Sequence, residues 1–274
     1  FGSRNSMARY LRSVVGGLRF KMDSALQSPN KDWSWVGHLL TAGGTDAKAE
    51  RMSKMGLVLL NTPMTETRLR HLWAQADVRI CADGAANRLL RHDLIPDTLV
   101  GDFDSVSPET LETFRSRGVQ IRDLSHDQDT TDLEKSLALV REIGCDQVLV
   151  AGQFAGVEGR LDHTFGIANA LYVNSDLSIA VVGDDCHMFL LMPGDHSIYV
   201  PVTDAAPHCG LVPLGSPCSS ITTTGLKWDM TDTKMEFGGL ISVCNQLDPS
   251  ANGHVSVTTS SPVLWMCNLP RAGA

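Results

Sequence analysis

No stretch of these 274 residues approaches the ~20 continuous apolar residues that a membrane span requires, so the chain reads as a soluble protein. Cysteine is sparse and unpaired in pattern. The seven thiols, at 81, 145, 186, 209, 218, 244 and 267, include no C-x-x-C and are odd in number, which argues against a disulfide framework and for a reducing, cytoplasmic setting. Positive charge is in deficit. Twenty-three Lys and Arg face 31 Asp and Glu, a net charge of −8 that excludes a general binder of nucleic acid or anionic membrane, because those proteins neutralise phosphates with basic surfaces. Three catalytic signatures are missing: G-K-[ST], H-E-x-x-H and G-x-S-x-G. Their absence removes conventional P-loop, zinc-protease and serine-hydrolase chemistry.

What is present is size, 43% apolar content and a sharp change of texture along the chain. Residues 1–55 read as an N-terminal extension and linker. "FGSRNS" resembles a cloning remnant, while "MARYLRSVVGGLRFKM" has the Arg-rich, acid-free character of a mitochondrial presequence or of a weakly helical tail. Trp33 and Trp35 are candidates to dock this segment on the folded part. From 56 to 190, apolar runs at 57–60, 78–82, 98–100, 119–121, 147–151 and 178–182 predict buried strands. Segments 64–76, 84–92, 108–117, 131–143 and 162–173 predict helices between them, with Leu133, Leu137 and Val140 on one apolar face. Alternation of this kind implies an α/β domain with a largely parallel sheet, in which ligands collect where strands end and helices begin. From 191 to 270 the helical period is gone. Short β-prone runs punctuated by Gly, Pro and Ser predict an antiparallel β-sandwich domain, with the boundary near Pro193-Gly194.

The chemistry concentrates at predicted strand ends. Asp83, Asp102, Asp104, Asp129 and Asp132 lie within about fifty residues, and a fold tolerates carboxylates so crowded mainly when a cation or water separates them. In "GDFDS" an extended backbone would point Asp102 and Asp104 to one side and Phe103 inward, so that both carboxylates share a Mg²⁺. The same residues also suit plain capping of a turn and of the next helix. In "DQDTTDLEKSL" a cap at Asp129, Thr130 or Thr131 leaves helix N-terminal amides facing a phosphate, with Asp132 in the first turn; Thr131 and Glu134 equally spell a capping box. "CADGAANRLL" places Asp83 and Gly84 at a strand end and Asn87 as a candidate donor to phosphate or sugar. "GRLDH" offers Arg160 for phosphate oxygens and Asp162 for a ligand amine or hydroxyl, against the plainer reading of a surface ion pair. "TTTGLKW" groups Thr222, Thr223 and Thr224 with Trp228, whose indole suits stacking on an aromatic cation or burial in the sandwich. His126 reads as a loop residue.

Taken in order, "CADGAANR", "GDFDS", "DQDTTD", "GRLDH", "CGLVPLG", "TTTGLKWDM" and "FGGLISVCN" resemble the thiamine pyrophosphokinase family in its eukaryotic form, over roughly residues 56–268. One departure is Ala85, where the family usually has glycine. The resemblance implies transfer of a pyrophosphoryl group from ATP to the hydroxyethyl oxygen of thiamine, giving thiamine diphosphate and AMP. It also implies a homodimer in which thiamine lies between the α/β domain and the partner's β-domain. Carried over by motif, Asp102, Asp104 and Asp132 resemble the Mg²⁺ carboxylates and, with Arg160, the catalytic set. Asp83, Gly84, Asn87, Gln128, Thr131 and Arg160 resemble ATP and phosphate contacts, while Gln128, Asp162, Thr222, Thr223, Thr224 and Trp228 resemble thiamine contacts. Two other classes fit parts of the pattern: a metal-dependent glycosyltransferase using D-x-D, and a thiamine-binding protein without catalysis.

Overall fold

The computed structural model describes residues 30–41, 53–154, 160–202 and 207–269; the remnant-like and presequence-like segments lie outside them. Six parallel strands form the centre: β2 (Met55–Leu59), β3 (Val78–Ala82), β4 (Thr98–Gly101), β5 (Gln120–Asp123), β6 (Gln147–Ala151) and β7 (Ser178–Val182). Helices connect them: α2 (Glu66–Gln75), α3 (Ala85–Arg91), α4 (Pro108–Ser116), α5 (Asp132–Ile143) and α6 (Leu161–Val173). Side chains alternate across a strand, so one strand feeds two cores. Leu57 and Leu59 join Leu69, Leu72, Leu89 and Phe114 of α2, α3 and α4 on one face. Val58 joins Leu133, Leu137, Val140 and Ile167 of α5 and α6 on the other. Burial on both faces is why β2, β6 and β7 are nearly continuous apolar runs, while β5, at the sheet's edge, is largely exposed and polar.

The sheet does not stop at β7. Strand β8 (Cys186–Leu191) pairs antiparallel with β7, and β15 (Val263–Asn268), β10 (His208–Pro213) and β13 (Ser242–Gln246) follow it, giving ten strands in the order β13-β10-β15-β8-β7-β6-β2-β3-β4-β5. A second sheet, β1-β9-β14-β11-β12, contains β1 (Lys31–Asp32), β9 (Gly194–Tyr199), β11 (Cys218–Thr224), β12 (Thr233–Met235) and β14 (His254–Thr259). Ile198, Ile221 and Val257 of this sheet share an apolar cluster with Leu211, Trp265 and Phe189 of the large one. The result is an α/β unit and an antiparallel β-sandwich built on one continuous sheet.

The tryptophan segment docks on this sandwich. β1 adds a parallel strand to β9, and α1 (Ser34–Leu40) follows. Trp33 is buried, with its ring stacked on Phe189 at 4.2 Å between centroids and 7° between planes. Trp35 lies 6.4 Å from Trp33 and packs on the outside of the same cluster.

His187 on β8 is fully enclosed beside this stack, 5.8 Å from Phe189. Burial, reinforced by the positive charge of Arg68, pulls its pKa down to about 3. The folded chain therefore keeps His187 neutral while the unfolded chain protonates it below its ordinary 6.5. Stability from this residue is complete above that value and is lost progressively as pH falls toward 3. We expect a loss of about 2 kcal/mol between pH 7 and pH 5 from this group, measured by urea unfolding at both pH values. The His187→Phe variant should lose correspondingly less, and equal acid sensitivity of the two proteins would exclude His187 as the cause.

Candidate active site

A parallel sheet whose order reverses opens a crevice at the carboxyl ends of the strands flanking the reversal. Here the chain runs outward from β2 through β3, β4 and β5, then returns to place β6 on the other side of β2. A cavity of about 460 Å³ lies at that point, lined by Asn61 and Thr62 after β2, Gln153 after β6, and the start of α5. Gly152 permits the close approach of the two loops. A Cβ there would come within 2.3 Å of the Thr62 hydroxyl oxygen.

The carboxylates gather on the cavity's β3–β4 side. Asp83 takes a left-handed conformation, φ 41°, at the end of β3. Gly101 at the end of β4 lets it approach, since a Cβ on Gly101 would stand 2.9 Å from the Asp83 Cβ. Asp83, Asp102 and Asp104 thereby bring one carboxylate oxygen each within 4.8 Å of one another. The D-x-D segment is not extended as its spacing suggests. Phe103 is left-handed, φ 64°, and the Asp104 amide donates to the Asp102 carboxylate at 3.3 Å, so a turn presents both acids while Phe103 packs on the core. A turn satisfies local amides that a strand end leaves open.

Asp132 borders the same cavity but is not a member of the 4.8 Å set; its place is beside the set rather than in it. Burial raises its pKa, the charges of Asp83, Asp102 and Asp104 raise it further, and Lys135 opposes them. Thr131 caps α5 in a full capping box with Glu134. Asp129 donates its backbone amide to Asp127, the residue that organises this turn by also accepting from Thr130.

Other expected contacts are distributed differently. Gln128 and Asp162 line the cavity. Asn87 is engaged by the neighbouring loop: one N–H of its amide donates to the Ser105 carbonyl at 2.8 Å and its carbonyl accepts from the Ser107 amide at 3.0 Å. It clamps the acidic loop to α3, which makes it a positioning residue. Gly84 caps α3, and Ala85 lies buried in the first turn without a positive φ, so the missing glycine costs no strain. Arg160 pairs with Asp162 through its Nε at 3.1 Å and through a second, shorter contact, both side chains being exposed. Thr222, Thr223, Thr224 and Trp228 belong to the sandwich and do not line this cavity. Thr223 is buried, its hydroxyl donating to Asp229 and accepting from the Met230 amide. Trp228 is 54% exposed on a loop held by two hydrogen bonds with Asn245. Its ring already carries the Lys227 ammonium at 4.6 Å.

Six polar cavity residues were given no role by the motifs: Asn61, Thr62, Gln153, Asp127, Lys135 and His163. Asn61, Thr62 and Gln153 follow from the strand reversal, which no local pattern encodes.

We expect Asn87→Ala to lose about 1–3 kcal/mol of stability through its two unmet loop partners. Turnover should fall with it, as the acidic loop loosens. Activity and urea unfolding measured together would show both changes, and a fully stable, fully active variant would remove the clamp.

These features define a doubly wound α/β protein with an acidic cavity at its topological switch point, joined through a shared sheet to a β-sandwich. The comparisons with known proteins narrow this class. Residues 69–182 match the family description "Thiamin pyrophosphokinase, catalytic domain", and residues 195–264 match "Thiamin pyrophosphokinase, vitamin B1 binding domain". Thiamine pyrophosphokinase 1 of Oryza sativa subsp. japonica is 39% identical over 220 residues, covering 72% of this chain and 81% of the relative. Thiamin pyrophosphokinase 1 of Caenorhabditis elegans is 30% identical over 214 residues, 74% of this chain and 83% of that one. Among solved structures, thiamin pyrophosphokinase from Candida albicans superposes with a TM-score of 0.72, covering 89% of this chain and 95% of that one at 24% identity. The chain belongs to the thiamin pyrophosphokinase family.

Proposed function

We propose that the chain acts as a thiamine pyrophosphokinase, moving the pyrophosphoryl group of ATP to the hydroxyethyl oxygen of thiamine and releasing AMP, with the switch-point cavity as its active site. One observation carries the placement: Asp83, Asp102 and Asp104 cluster at the ends of β3 and β4, and Asp102 carries that cluster to the wall of the cavity that the strand reversal opens. The donor set is all oxygen, which suits Mg²⁺. The fit is supported by the buried Oδ1 of Asp83, which accepts no hydrogen bond in the structure and so lacks the compensation a buried carboxylate needs. Asp83, Asp102 and Asp104 would hold the ion, with Asp132 at its margin. Bound there, Mg²⁺ supplies neutralising charge for phosphate oxygens.

The chain's own groups do the remaining work. Thr131, Asp132 and Leu133 at the start of α5 and Gln128 before it line the cavity, and the positive end of the helix dipole there suits phosphate oxygens. A neighbouring carboxylate, Asp132 on the cavity wall or Asp104 in the adjoining cluster, takes the thiamine hydroxyl proton as the new P–O bond forms. Arg160 is exposed on its pair with Asp162 and reaches a phosphate by exchanging that partner.

The same reading completes each site with a second copy of the chain. Leu161 and Phe165 stand 73% and 69% exposed on α6, the helix that supplies Asp162 and His163 to the cavity. On the sandwich, Trp228, Phe237, Leu240 and Val243 are exposed. Apolar surfaces of this kind suit a homodimer in which the partner's Trp228 and threonine strand cover thiamine beside Asp162. Thiamine's ring cation would take the place of Lys227 over the indole. Trp228→Ala should raise KM for thiamine about tenfold with kcat little changed, as expected for one cation–π contact; an unchanged KM would remove the residue from the site.

Among the described residues no helix is long and apolar enough to cross a membrane, and the seven cysteines are free. This reading places the enzyme in the cytoplasm. The direct test supplies purified protein with ATP, Mg²⁺ and thiamine: AMP and thiamine diphosphate should appear in equal amounts, and ADP as the sole nucleotide product would refute the reaction.

A further inference from the structure

Lys135 is the one lysine or arginine among the described residues lining the cavity. Its position in the sequence, four residues into α5, suggests a helix-surface charge. The structure instead buries it, leaving its side chain 3% exposed. An ammonium carries three donors and loses much hydration on burial, so a fold keeps one there only with acceptors to meet it. The nearest carboxylate among the described residues is that of Asp132 at 3.8 Å, outside hydrogen-bond range. Asp127 also feels the Lys135 charge, but its oxygens are taken by the Thr130 hydroxyl and by the amides of Asp129 and Thr130. The donors of Lys135 are left for the cavity.

The surroundings state what kind of acceptor belongs there. Next to the ammonium lie the N-terminal turn of α5, which favours anions, and Asp132, which faces the Asp83, Asp102 and Asp104 cluster. A group rich in anionic oxygens that also binds a cation satisfies all three. We propose that Lys135 is a catalytic residue whose ammonium binds the non-bridging oxygens of the pyrophosphoryl group during transfer. This rests on the placement of ATP in the cavity argued above.

The step balances without a proton moving on or off Lys135. The bond between the β-phosphorus and the oxygen bridging to the α-phosphorus breaks, and its electron pair leaves with AMP. The thiamine oxygen bonds to the β-phosphorus, and its proton passes to a neighbouring carboxylate and then to solvent. Negative charge grows on oxygens that the ammonium already faces, where a fixed donor in a water-poor site is most effective.

The test compares wild type with Lys135→Met and Lys135→Arg. It measures steady-state AMP release, and calorimetric binding of Mg²⁺ with α,β-methylene-ATP and of AMP, which lacks the transferred group. Lys135→Met should lower kcat by about a hundredfold to a thousandfold. It should weaken the analogue at least tenfold and leave AMP affinity within twofold, and Lys135→Arg should recover part of both losses. Retention of kcat within threefold by Lys135→Met would overturn the proposal. So would equal weakening of AMP and the analogue, which marks general disruption of the cavity around Asp132. Lys135→Gln serves for the same measurements if the methionine variant does not fold. Failure of the site itself shows differently: Asp102→Asn would leave analogue affinity and turnover at wild-type values.

Discussion

Turnover of the Asp102→Asn variant is expected to fall on the order of a hundredfold or more, with its Mg²⁺ dependence shifted to higher concentration. Asparagine keeps the shape of the side chain and removes one charge from the set formed with Asp83 and Asp104. A hard divalent ion binds carboxylate oxygen far better than amide oxygen, and the charge lost is one that positions phosphates during the reaction. The substitution should be well tolerated by the fold, because it relieves repulsion in a cluster that also raises the pKa of Asp132. Rates of AMP release across a Mg²⁺ series, together with a thermal melt, separate the two effects. A wild-type rate with a wild-type Mg²⁺ midpoint would take Asp102 out of the metal site.

The largest expected effect on stability is far from the cavity. Trp33→Ala should cost about 3–5 kcal/mol, the usual range for deleting a buried large aromatic side chain. In a domain of this size that is a melting temperature lower by roughly 10 °C. Trp33 is fully buried and stacked face to face on Phe189, yet it precedes both regions that match the family descriptions. Trp35, on the outer side of the same stack, is the control and should cost far less. Circular dichroism melts of the two variants decide the matter. A shift of under 2 °C for Trp33→Ala would mean that the segment rests on the sandwich without supporting it.

How far the sequence could be read depended on whether the information was local. The inner strands β2, β6 and β7 were legible because burial on both sheet faces forces continuous apolar runs, and α5 announces itself through Thr131, Glu134 and the Leu133, Leu137, Val140 stripe. The crowding of acids at strand ends was legible, but the motifs grouped Asp132 with Asp102 and Asp104 and set Asp83 apart, whereas the close approach that Gly101 allows brings Asp83 into that set. The turn inside D-x-D was not legible, because a left-handed Phe103 breaks the rule that bulky residues avoid positive φ. The clamping role of Asn87 was hidden for a related reason. Its side chain serves the backbone of Ser105 and Ser107, a partnership visible only after the chain folds back. Asn61, Thr62 and Gln153 became site residues through the order of strands, and Lys135 through its burial. Neither property is written within any few residues of sequence.

The ladder between β7 and β8, with Ala180, Val181 and Val182 opposite Phe189, Met188 and His187, has a consequence for how the molecule moves and how it can be cut. Strands on both sides of it hydrogen-bond without interruption, so the sandwich has no hinge on which to swing toward the acidic cavity. Access and closure are left to loops, and heat should melt the whole sheet in one cooperative event. Residues 195–264, expressed by themselves, would lack β8 and keep only the first two residues of β15, so the edge of β10 that β15 covers would be largely open to solvent. The two family regions are separable as text along the chain and inseparable as folding units.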